Sequence, residues 1–304
     1  MYDIVVIGAG PAGLTAALYA RRAEKSVLVL EKSTFGGQIT HSPRVENYPC
    51  FKALSGTELA DKLVEQVLSL GAEIEMDTAV AISGQKGNYT VRGEFGEYIA
   101  KAVIIATGSK HRQLNIDREN DFVGEGISYC AVCDGAFYRG KRVAVIGGGN
   151  TALQEAVMLS DLCEKVTIVQ NLGFLTGETG LQSDIKQRNN IDIILSGTVK
   201  EIIADGNVFK GIKITQNGVD SNLLTDGVFV AIGQVPENEP FADNVALNEQ
   251  GYIISGEDCL PQNAKEGIFA AGDCRTKAVR QVATAVADGA VASLAACKFI
   301  DNLK

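Results

Sequence analysis

Two stretches of this chain share a pattern that is typical of nucleotide-binding βαβ units. Residues 3–13 read DIVVIGAGPAG and residues 142–152 read RVAVIGGGNTA. Each is an apolar run followed by glycines spaced G-x-G-x-x-G or G-x-G-x-x-A, then by a helical pattern. Each helix leads to another apolar run, SVLVLE at 26–31 and KVTIVQ at 165–170. One such motif alone is a weak signal, but two in strand–turn–helix context predict two βαβ units.

The remaining apolar runs predict that the second unit is inserted in the first. Buried strands are expected at 101–109 (KAVIIATGS), 227–239 (GVFVAIGQVPENE) and 267–274 (GIFAAGDC), and an Ala-rich helix over 282–300. We therefore predict an α/β fold with two Rossmann-like dinucleotide-binding domains of the three-layer ββα type. Residues 1–112 and 242–304 form the first domain, and residues 113–241 form the inserted one.

The first glycine loop has the features of a pyrophosphate site. Gly8 permits the tight turn after the strand, Gly10 lets a pyrophosphate approach the backbone, and Gly13 lets helix and strand pack closely. The N-terminus of the following helix offers free N–H groups. Glu31 ends the next strand 18 residues after Gly13, where an acid can accept hydrogen bonds from ribose hydroxyls. The alternative is a tight βα turn with no ligand.

A second acid favours FAD over a nicotinamide cofactor in the first domain. Asp273 follows a buried strand, and the ATG turn at 106–108 follows another. Together with the first glycine loop, these elements predict an FAD-binding domain. The second loop, with Gly147, Gly149 and Ala152, predicts an NAD(P)H-type domain.

Bulk properties argue against several classes of protein. The net charge of −9 and the absence of Trp argue against nucleic-acid binding. The N-terminal MYDIVVIGAG does not resemble a signal peptide, and an uninterrupted apolar run of 18 residues is absent, so we expect no membrane span. The seven cysteines are odd in number and mostly scattered, which favours a cytoplasmic location over a secreted disulfide framework.

One pair of cysteines stands apart from the others. Residues 130–133 read CAVC, and Asp134 follows. The pair could be part of a zinc site, an inert packed pair, or a redox dithiol. Zinc usually needs four ligands, whereas the chain has no second C-x-x-C, and His41 and His111 are isolated in sequence. We therefore predict no metal and a redox dithiol, and we expect the other five cysteines to be small core or surface residues.

In combination and order, these motifs resemble those of the low-molecular-weight flavin thioredoxin reductases. The resemblance covers nearly the whole chain and rests on GAGPAG at 8–13, GGQ at 36–38, EN at 46–47, ATG at 106–108, CAVCDG at 130–135, GGGNTA at 147–152, AGD at 271–273 and RQV at 280–282. It implies FAD in the first domain, thioredoxin as substrate, a homodimer, and a large rotation of the inserted domain. The implied FAD contacts are Gly8, Gly10, Pro11, Ala12, Gly13, Glu31, Lys32, Gly37, Gln38, Asn47, Ala106, Thr107, Gly108, Gly272, Asp273, Arg280, Gln281 and Val282.

The resemblance also implies roles for the dithiol residues. Cys133 would be the sulfur next to the flavin, and Cys130 would attack the disulfide of the substrate. Asp134 would act as a general acid–base group.

The second glycine loop departs from the pattern of the relatives that use NADPH. Those relatives carry HRRxxxR after the next strand, whereas this chain has QNLGFLT at 170–176 and no basic residue from 171 to 185. NADH would prefer an acid at the strand end, where this chain has Gln170. In both respects the chain most resembles the ferredoxin-dependent flavin thioredoxin reductases, which implies reduced ferredoxin as the electron donor.

Three alternatives stay open from the sequence alone. Arginines elsewhere, such as Arg188, could bind NADPH in place of the missing motif. The protein could bind and regulate a partner without turnover. It could also run the same dithiol backwards, as an oxidase that forms disulfides.

Overall fold

The structure is a computed structural model that describes residues 1–42 and 44–303. Over these residues the helices are α1 (Pro11–Arg22), α2 (Gly56–Ser69), α3 (Ala131–Asp134), α4 (Asn150–Ser160), α5 (Thr179–Gln187) and α6 (Val282–Asp301). The strands are β1 (Tyr2–Ile7), β2 (Val27–Glu31), β3 (Glu73–Met76), β4 (Ala79–Gln85), β5 (Asn88–Gly93), β6 (Glu97–Ile105), β7 (Ser109–His111), β8 (Ile127–Ser128), β9 (Arg142–Ile146), β10 (Lys165–Gln170), β11 (Ile191–Leu195), β12 (Gly197–Asp205), β13 (Val208–Gln216), β14 (Val219–Leu224), β15 (Gly227–Val230), β16 (Gln234–Pro236) and β17 (Ile268–Ala270). Short 3-10 segments lie at Gly37–His41, Glu119–Phe122, Gly135–Tyr138, Glu239–Phe241 and Gly272–Cys274.

The chain divides into two compact units. Unit 1 comprises residues 1–110 and 235–304, and unit 2 comprises residues 111–234. Unit 1 resumes at residue 235, a few residues before the predicted boundary at 242. Asn238 lies in this stretch and packs in unit 1. Its side chain is fully buried in unit 1, where it bonds with Thr107 Oγ1 at 2.8 Å and with the carbonyls of Gly251 and Cys274 at 2.9 and 2.8 Å.

Unit 1 is built on a sheet with the strand order β3-β2-β1-β6-β5-β4, and β17 also pairs with β6. The pairs among β3, β2, β1, β6 and β17 are parallel, while β4, β5 and β6 run antiparallel to one another. Because parallel strands end at the same edge of a sheet, the loops after β1, β2, β6 and β17 meet at one edge. These are the four loops in which the sequence predicts FAD contacts.

Small residues bring α1 and α6 into close contact on one face of this sheet. A Cβ on Gly289 of α6 would lie 2.2 Å from the carbonyl oxygen of Ala12, so only glycine fits there. By length and composition alone α6 could cross a membrane, but the same test is passed by core helices. Here α6 buries Ala292, Ala296 and Ile300 against α1 and the sheet, as a core helix does.

Unit 2 holds the second predicted βαβ motif. Its five strands follow the order β11-β10-β9-β15-β8, and the adjacent strands pair in parallel. Helix α4 packs on this sheet through Leu153, Ala156 and Leu159, against Val145 and Ile168. A separate antiparallel sheet, β12-β13-β14, was not predicted from the sequence.

A buried ion cluster ties α6 to the segment after β17. The Asp288 carboxylate accepts from Arg275 Nη2 at 2.7 Å and Nε at 3.0 Å, and from Lys277 Nζ at 2.9 Å. It also accepts from the backbone N–H of Gly272 at 3.1 Å. Burial opposes ionisation of Asp288, but these hydrogen bonds outweigh it and hold the pKa of the carboxyl below its usual value.

Asp288→Asn should therefore lower the free energy of unfolding by about 3–5 kcal/mol, because it leaves two buried cations without their shared anion. The matched control is Asp301→Asn on the same helix. Asp301 pairs with Lys25, but its side chain is 63% exposed, so we expect a change below about 1 kcal/mol. Urea unfolding of both variants, followed by circular dichroism, measures the difference. Equal losses for the two variants would contradict this account of the cluster.

Candidate active site

The two cysteines of the C-x-x-C motif form a disulfide at the start of a single helical turn in unit 2. Cys130 is the N-cap of α3 and Cys133 lies within it, and the two sulfurs are bonded. Cys130 Sγ also accepts a hydrogen bond from the backbone N–H of Cys133 at 3.2 Å. Both cysteines are half-buried, while Val132 between them is 57% exposed. The disulfide is therefore partly exposed to solvent.

Asp134 lies beside the dithiol and is held by Ser128. The Ser128 hydroxyl donates to Asp134 Oδ2 at 2.6 Å and accepts from the N–H of Cys130 at 3.1 Å. Asp134 Oδ1 is buried and has no hydrogen-bond partner among the described residues. Burial raises the pKa of this carboxyl above its usual value, and the Ser128 hydrogen bond only partly offsets the effect. A carboxyl with a raised pKa suits the predicted role of proton donor.

The first glycine loop has the geometry that a bound dinucleotide requires. Gly8 has φ +108°, and a Cβ there would lie 2.4 Å from the Ala106 carbonyl oxygen. A Cβ on Gly13 would lie 1.9 Å from the Gly8 carbonyl oxygen, so these two glycines close the turn. At Gly10 the closest atom to such a Cβ is Gly36 O at 4.0 Å. Gly10 is therefore not required for packing, and it leaves space on the side where a phosphate would approach.

The acid at the end of β2 is buried at this loop. Glu31 is 7% exposed, and its Oε2 accepts from the N–H of Ala9 at 2.8 Å. Its Oε1 accepts from the N–H of Ser33 at 2.9 Å. The carboxylate thus joins the glycine loop to the end of β2, in the position expected for a ribose acceptor.

Asp273 lies at the same edge of the sheet and has an unsatisfied oxygen. Its Oδ1 is buried without a hydrogen-bond partner among the described residues, and Lys277 Nζ is 3.7 Å away. Burial raises the pKa of the Asp273 carboxyl, and Lys277 and Arg280 partly offset this. The Arg280 guanidinium carbon lies 4.2 Å from the centre of the Tyr252 ring. Arg280 Nε is also buried without a hydrogen-bond partner in the part of the chain that the structure describes. Buried polar atoms of this kind need a partner, and a flavin nucleotide could supply one.

The other predicted FAD contacts divide into two groups. Several lie at this edge of the sheet: Pro11 and Ala12 begin α1, Ala106, Thr107 and Gly108 follow β6, Gly272 precedes Asp273, and Gln281 and Val282 begin α6. Asn47 Nδ2 donates to Gln281 Oε1 at 3.1 Å, which brings two distant predicted contacts together. Gly37 packs on Gly10, whereas Gln38 is exposed and Lys32 is paired with Glu237. The residues of unit 1 therefore fit FAD.

Sequence reasoning missed two residues that support these sites. Ser128 holds Asp134, and Asn238 holds the hydroxyl of Thr107. A serine two residues before the first cysteine was a visible but weak signal. Asn238 could not be found in this way, because its partners lie far away in the chain.

The second glycine loop keeps the turn of the first one. Gly147 has φ +134°, and a Cβ there would lie 2.4 Å from the Ala231 carbonyl oxygen. The carbonyl of Gly148 accepts from the N–H groups of Thr176 and Gly177 at 2.8 and 2.9 Å. Gly149 and Ala152 occupy the N-cap and the first turn of α4, as predicted. The frame of a nucleotide site is therefore present in unit 2.

The polar groups around this second loop differ from those in unit 1. Gln170 takes the place at the strand end that Glu31 has in β2, and it is 5% exposed. Its Oε1 accepts from its neighbour Asn171 N at 3.2 Å, and its Nε2 donates to Phe174 O at 3.4 Å. At the start of α4, Asn150 exchanges hydrogen bonds of 2.7 and 3.0 Å with the N–H and carboxylate of Glu178. An anion of the chain itself thus lies at this helix N-terminus.

Four of the five free cysteines do not resemble redox residues. Cys163, Cys259, Cys274 and Cys297 are buried, and Cys50 is exposed. Burial raises the pKa of the Cys259 and Cys274 thiols to about 11 and also raises the pKa of Cys163 and Cys297. Cys274, which follows Asp273, packs with its sulfur 3.3 Å from the Ala271 carbonyl oxygen. It is a core residue, as expected.

Comparison with known proteins shows which family the chain belongs to. The sequence profile of the pyridine nucleotide-disulphide oxidoreductases matches residues 2–289. The chain is 40% identical over 306 residues to the thioredoxin reductase of Listeria innocua, covering 100% of this chain and 95% of that protein. It is 42% identical to the 34.2 kDa protein in rubredoxin operon of Clostridium pasteurianum, covering 98% and 97%. The crystal structure of thioredoxin reductase from Streptococcus pyogenes superposes with a TM-score of 0.94 at 36% identity, covering 100% and 99%.

Gly10→Ala should weaken FAD binding without disturbing the fold. Gly10 has an ordinary extended conformation, φ −77° and ψ 179°, so alanine fits the backbone, but its methyl group would enter the space left for the phosphates. We expect FAD affinity to fall about tenfold or more, measured by flavin fluorescence on titration of the FAD-depleted protein.

The matched control for this substitution is Gly149→Ala at the corresponding position of unit 2. Its backbone is equally extended, φ −85° and ψ 179°, so FAD affinity should not change. Unaltered FAD binding in Gly10→Ala would contradict the assignment of the first loop.

Proposed function

Because this chain belongs to the pyridine nucleotide-disulphide oxidoreductase family and is a flavoprotein disulfide oxidoreductase, we propose that it reduces the disulfide of thioredoxin with electrons from reduced ferredoxin. The names of its relatives support thioredoxin as the acceptor. The balanced reaction consumes two reduced ferredoxins and two protons for each thioredoxin disulfide. The predicted homodimer and the cytoplasmic location stay predictions.

The dithiol residues provide the chemistry at the acceptor side. A disulfide between Cys130 and Cys133 accepts two electrons and becomes two thiols. A thiolate then attacks the disulfide of the substrate, and the second sulfur closes the ring again and releases the product. We assign the attacking role to Cys130 and the ring-closing role to Cys133. Asp134 holds a proton that the departing sulfur of the substrate can take.

The residues of unit 1 would hold FAD at the edge formed by the loops after β1, β2, β6 and β17. FAD, when bound there, would supply a carrier that takes up single electrons and gives up pairs. Glu31 would accept from the ribose, the backbone at Gly10 would face the pyrophosphate, and Asp273 would gain the partner that its Oδ1 lacks. This assignment rests on the unsatisfied buried oxygen and on the open space at Gly10.

The choice of donor rests on the charge at the second glycine loop. A nicotinamide dinucleotide carries a pyrophosphate, and NADPH carries a further phosphate. The charged partner of Asn150 at this loop is Glu178, which has the same sign as these groups. The segment from 171 to 185 has no basic residue. A phosphate here would meet repulsion instead of an ion pair, which is unfavourable for binding.

The contacts of Arg188 disfavour it as a substitute for the missing arginines. Its Nη1 contacts the carbonyl of Val157 at 3.3 Å and the hydroxyl of Ser160, and it pairs with Asp161 and Asp184. Val157, Ser160 and Asp161 are at the C-terminal end of α4, whereas the glycine loop is at its N-terminal end. Arg188 is therefore engaged about two and a half turns away from the loop, at 3.6 residues per turn.

A one-electron donor also agrees with the name of one relative. The protein of Clostridium pasteurianum is described as lying in a rubredoxin operon. Rubredoxin, like ferredoxin, is an iron–sulfur protein that transfers one electron at a time. The retained turn at Gly147 favours a second candidate, a reductase that uses NADH or NADPH through contacts other than the missing motif.

Parallel anaerobic titrations should separate these donors. We expect reduced ferredoxin to bleach the flavin absorbance fully, and NADPH and NADH at micromolar concentrations to leave it nearly unchanged, because the segment from 171 to 185 after β10 has no basic residue for their phosphates. The control is dithionite, which reduces any bound flavin. Rapid and complete bleaching by NADPH would reject ferredoxin as the required donor.

Substitution of either cysteine of the ring should abolish thioredoxin reduction. Cys130→Ser and Cys133→Ser should each lower turnover by about a thousandfold or more, as expected for loss of a reacting group. Flavin bleaching by ferredoxin should persist in both variants, because the electron donor does not depend on the ring. Cys50→Ser, the exposed free cysteine, is the control and should leave turnover unchanged. Full turnover in either ring variant would exclude the dithiol mechanism.

A further inference from the structure

Glu155 is a half-buried acid of unit 2 that has no part in the proposed mechanism. It lies on α4, five residues after Asn150, and contacts the turn that carries the dithiol. Its Oε1 accepts a long hydrogen bond of 3.4 Å from the backbone N–H of Ala131. Ala131 follows Cys130 directly and is fully buried. Glu155 therefore contacts the same peptide unit to which Cys130 belongs.

The other oxygen of this carboxyl is unsatisfied. Glu155 Oε2 is buried and has no hydrogen-bond partner among residues 1–42 and 44–303. Burial raises the pKa of the Glu155 carboxyl to about 7, and the N–H of Ala131 only partly offsets this. A buried carboxylate oxygen without a partner disfavours the ionised form, so burial favours a protonated Glu155.

The titratable groups around Glu155 are few. Asp134 lies in α3, three residues after the Ala131 that Glu155 contacts, and Tyr138 and Cys163 belong to the apolar cluster in which α4 packs. Arg188 of α5 is engaged at the C-terminal end of α4, and Asp184 and Lys186 of α5 are exposed. Strands β9 and β10 meet α4 with the apolar side chains of Val143, Val145, Val166 and Ile168.

We propose that Glu155 accepts the proton of the Cys130 thiol when this sulfur becomes the attacking thiolate. The proposal rests on the proposed reduction of a substrate disulfide by the dithiol, and it does not depend on the identity of the electron donor. The Glu155 carboxyl, which accepts from the N–H of the Cys130–Ala131 peptide unit, holds this proton until the substrate is released.

The protons balance if the two acids work in turn. Glu155 takes the proton of Cys130, and the thiolate forms a mixed disulfide with one substrate sulfur while the other substrate sulfur leaves and takes the proton of Asp134. Cys133 then gives its proton to Asp134 and attacks Cys130, which closes the ring and breaks the mixed disulfide. The second substrate sulfur takes the proton from Glu155. The ring is oxidised, the substrate disulfide is reduced, and both carboxyls return to their starting states.

A proton shared by Glu155 and Cys130 avoids repulsion between two negative charges at the turn. An ionised Glu155 next to Cys130 disfavours a second negative charge on the sulfur, whereas a protonated Glu155 does not. Transfer of the proton therefore removes one negative charge in the same step that creates the other. Two groups coupled in this way titrate as a pair, with two apparent steps instead of one.

Glu155→Gln is the direct test, because glutamine keeps an acceptor for the Ala131 N–H but cannot take a proton. The reduced, FAD-containing protein is reacted with iodoacetamide from pH 5 to pH 10, and labelling of Cys130 is quantified by mass spectrometry. In the wild type we expect the rate to rise in two steps, the first of them near pH 7. In Glu155→Gln we expect a single step. Turnover with thioredoxin at pH 7 should fall about tenfold or more, with an unchanged KM.

Controls separate a proton-holding role from a structural one. Glu164→Gln removes an exposed acid of the same unit and should retain both steps. Glu155→Met gives a second variant in case glutamine is poorly accommodated, and it should also titrate in a single step. Identical pH profiles for the wild type and both Glu155 variants would overturn the proposal. If the wild type does not reduce thioredoxin but Cys130 still titrates in two steps, the proposed function fails and the role of Glu155 stands.

Discussion

Each unit depends on a turn that only glycine can make. Gly8 and Gly147 follow the first strand of the βαβ motif in their units, β1 and β9, at positive φ. A Cβ on either would lie 2.4 Å from a backbone carbonyl oxygen, that of Ala106 or Ala231. The turn aims the N-terminus of the next helix along the edge where the parallel strands end. Because this geometry is fixed by the backbone, the residues at the ends of the other strands determine what each edge can bind.

The sheet edges of the two units differ at those residues. In unit 1, Glu31 bonds to the glycine loop, and the half-buried Asp273 has a buried oxygen without a hydrogen-bond partner among the described residues. In unit 2, the amide of Gln170 bonds within its own loop, and Glu178 bonds to Asn150. The same frame therefore has acids at the strand ends of unit 1 and an amide at the strand end of unit 2. Unit 2 also holds the dithiol, with the half-buried acids Asp134 and Glu155 near it.

The sequence predicts the parallel strands well, because β1, β2, β9 and β10 are apolar runs that are buried on both faces of a sheet. It does not predict β14, in which only Leu223 is even half-buried, since an exposed strand carries no hydrophobic pattern. The motifs predicted the glycine loops, Glu31 and the dithiol. Ser128 was only a weak signal beside the dithiol, and Asn238 and Glu155 could not be inferred, because each acts through a contact that depends on how separate segments pack. Lys32, which the sequence predicts to contact FAD, forms an ion pair with Glu237, and no sequence motif indicated this pair.

The burial of four of the free cysteines has a consequence for the selectivity of thiol chemistry. Thiolates, not thiols, exchange with disulfides. Cys163, Cys259, Cys274 and Cys297 are kept protonated by burial. A protein that repeatedly opens and closes a reactive ring risks scrambling its own sulfurs into wrong pairs. Burial of these four thiols and their raised pKa values therefore disfavour their exchange with the Cys130–Cys133 disulfide.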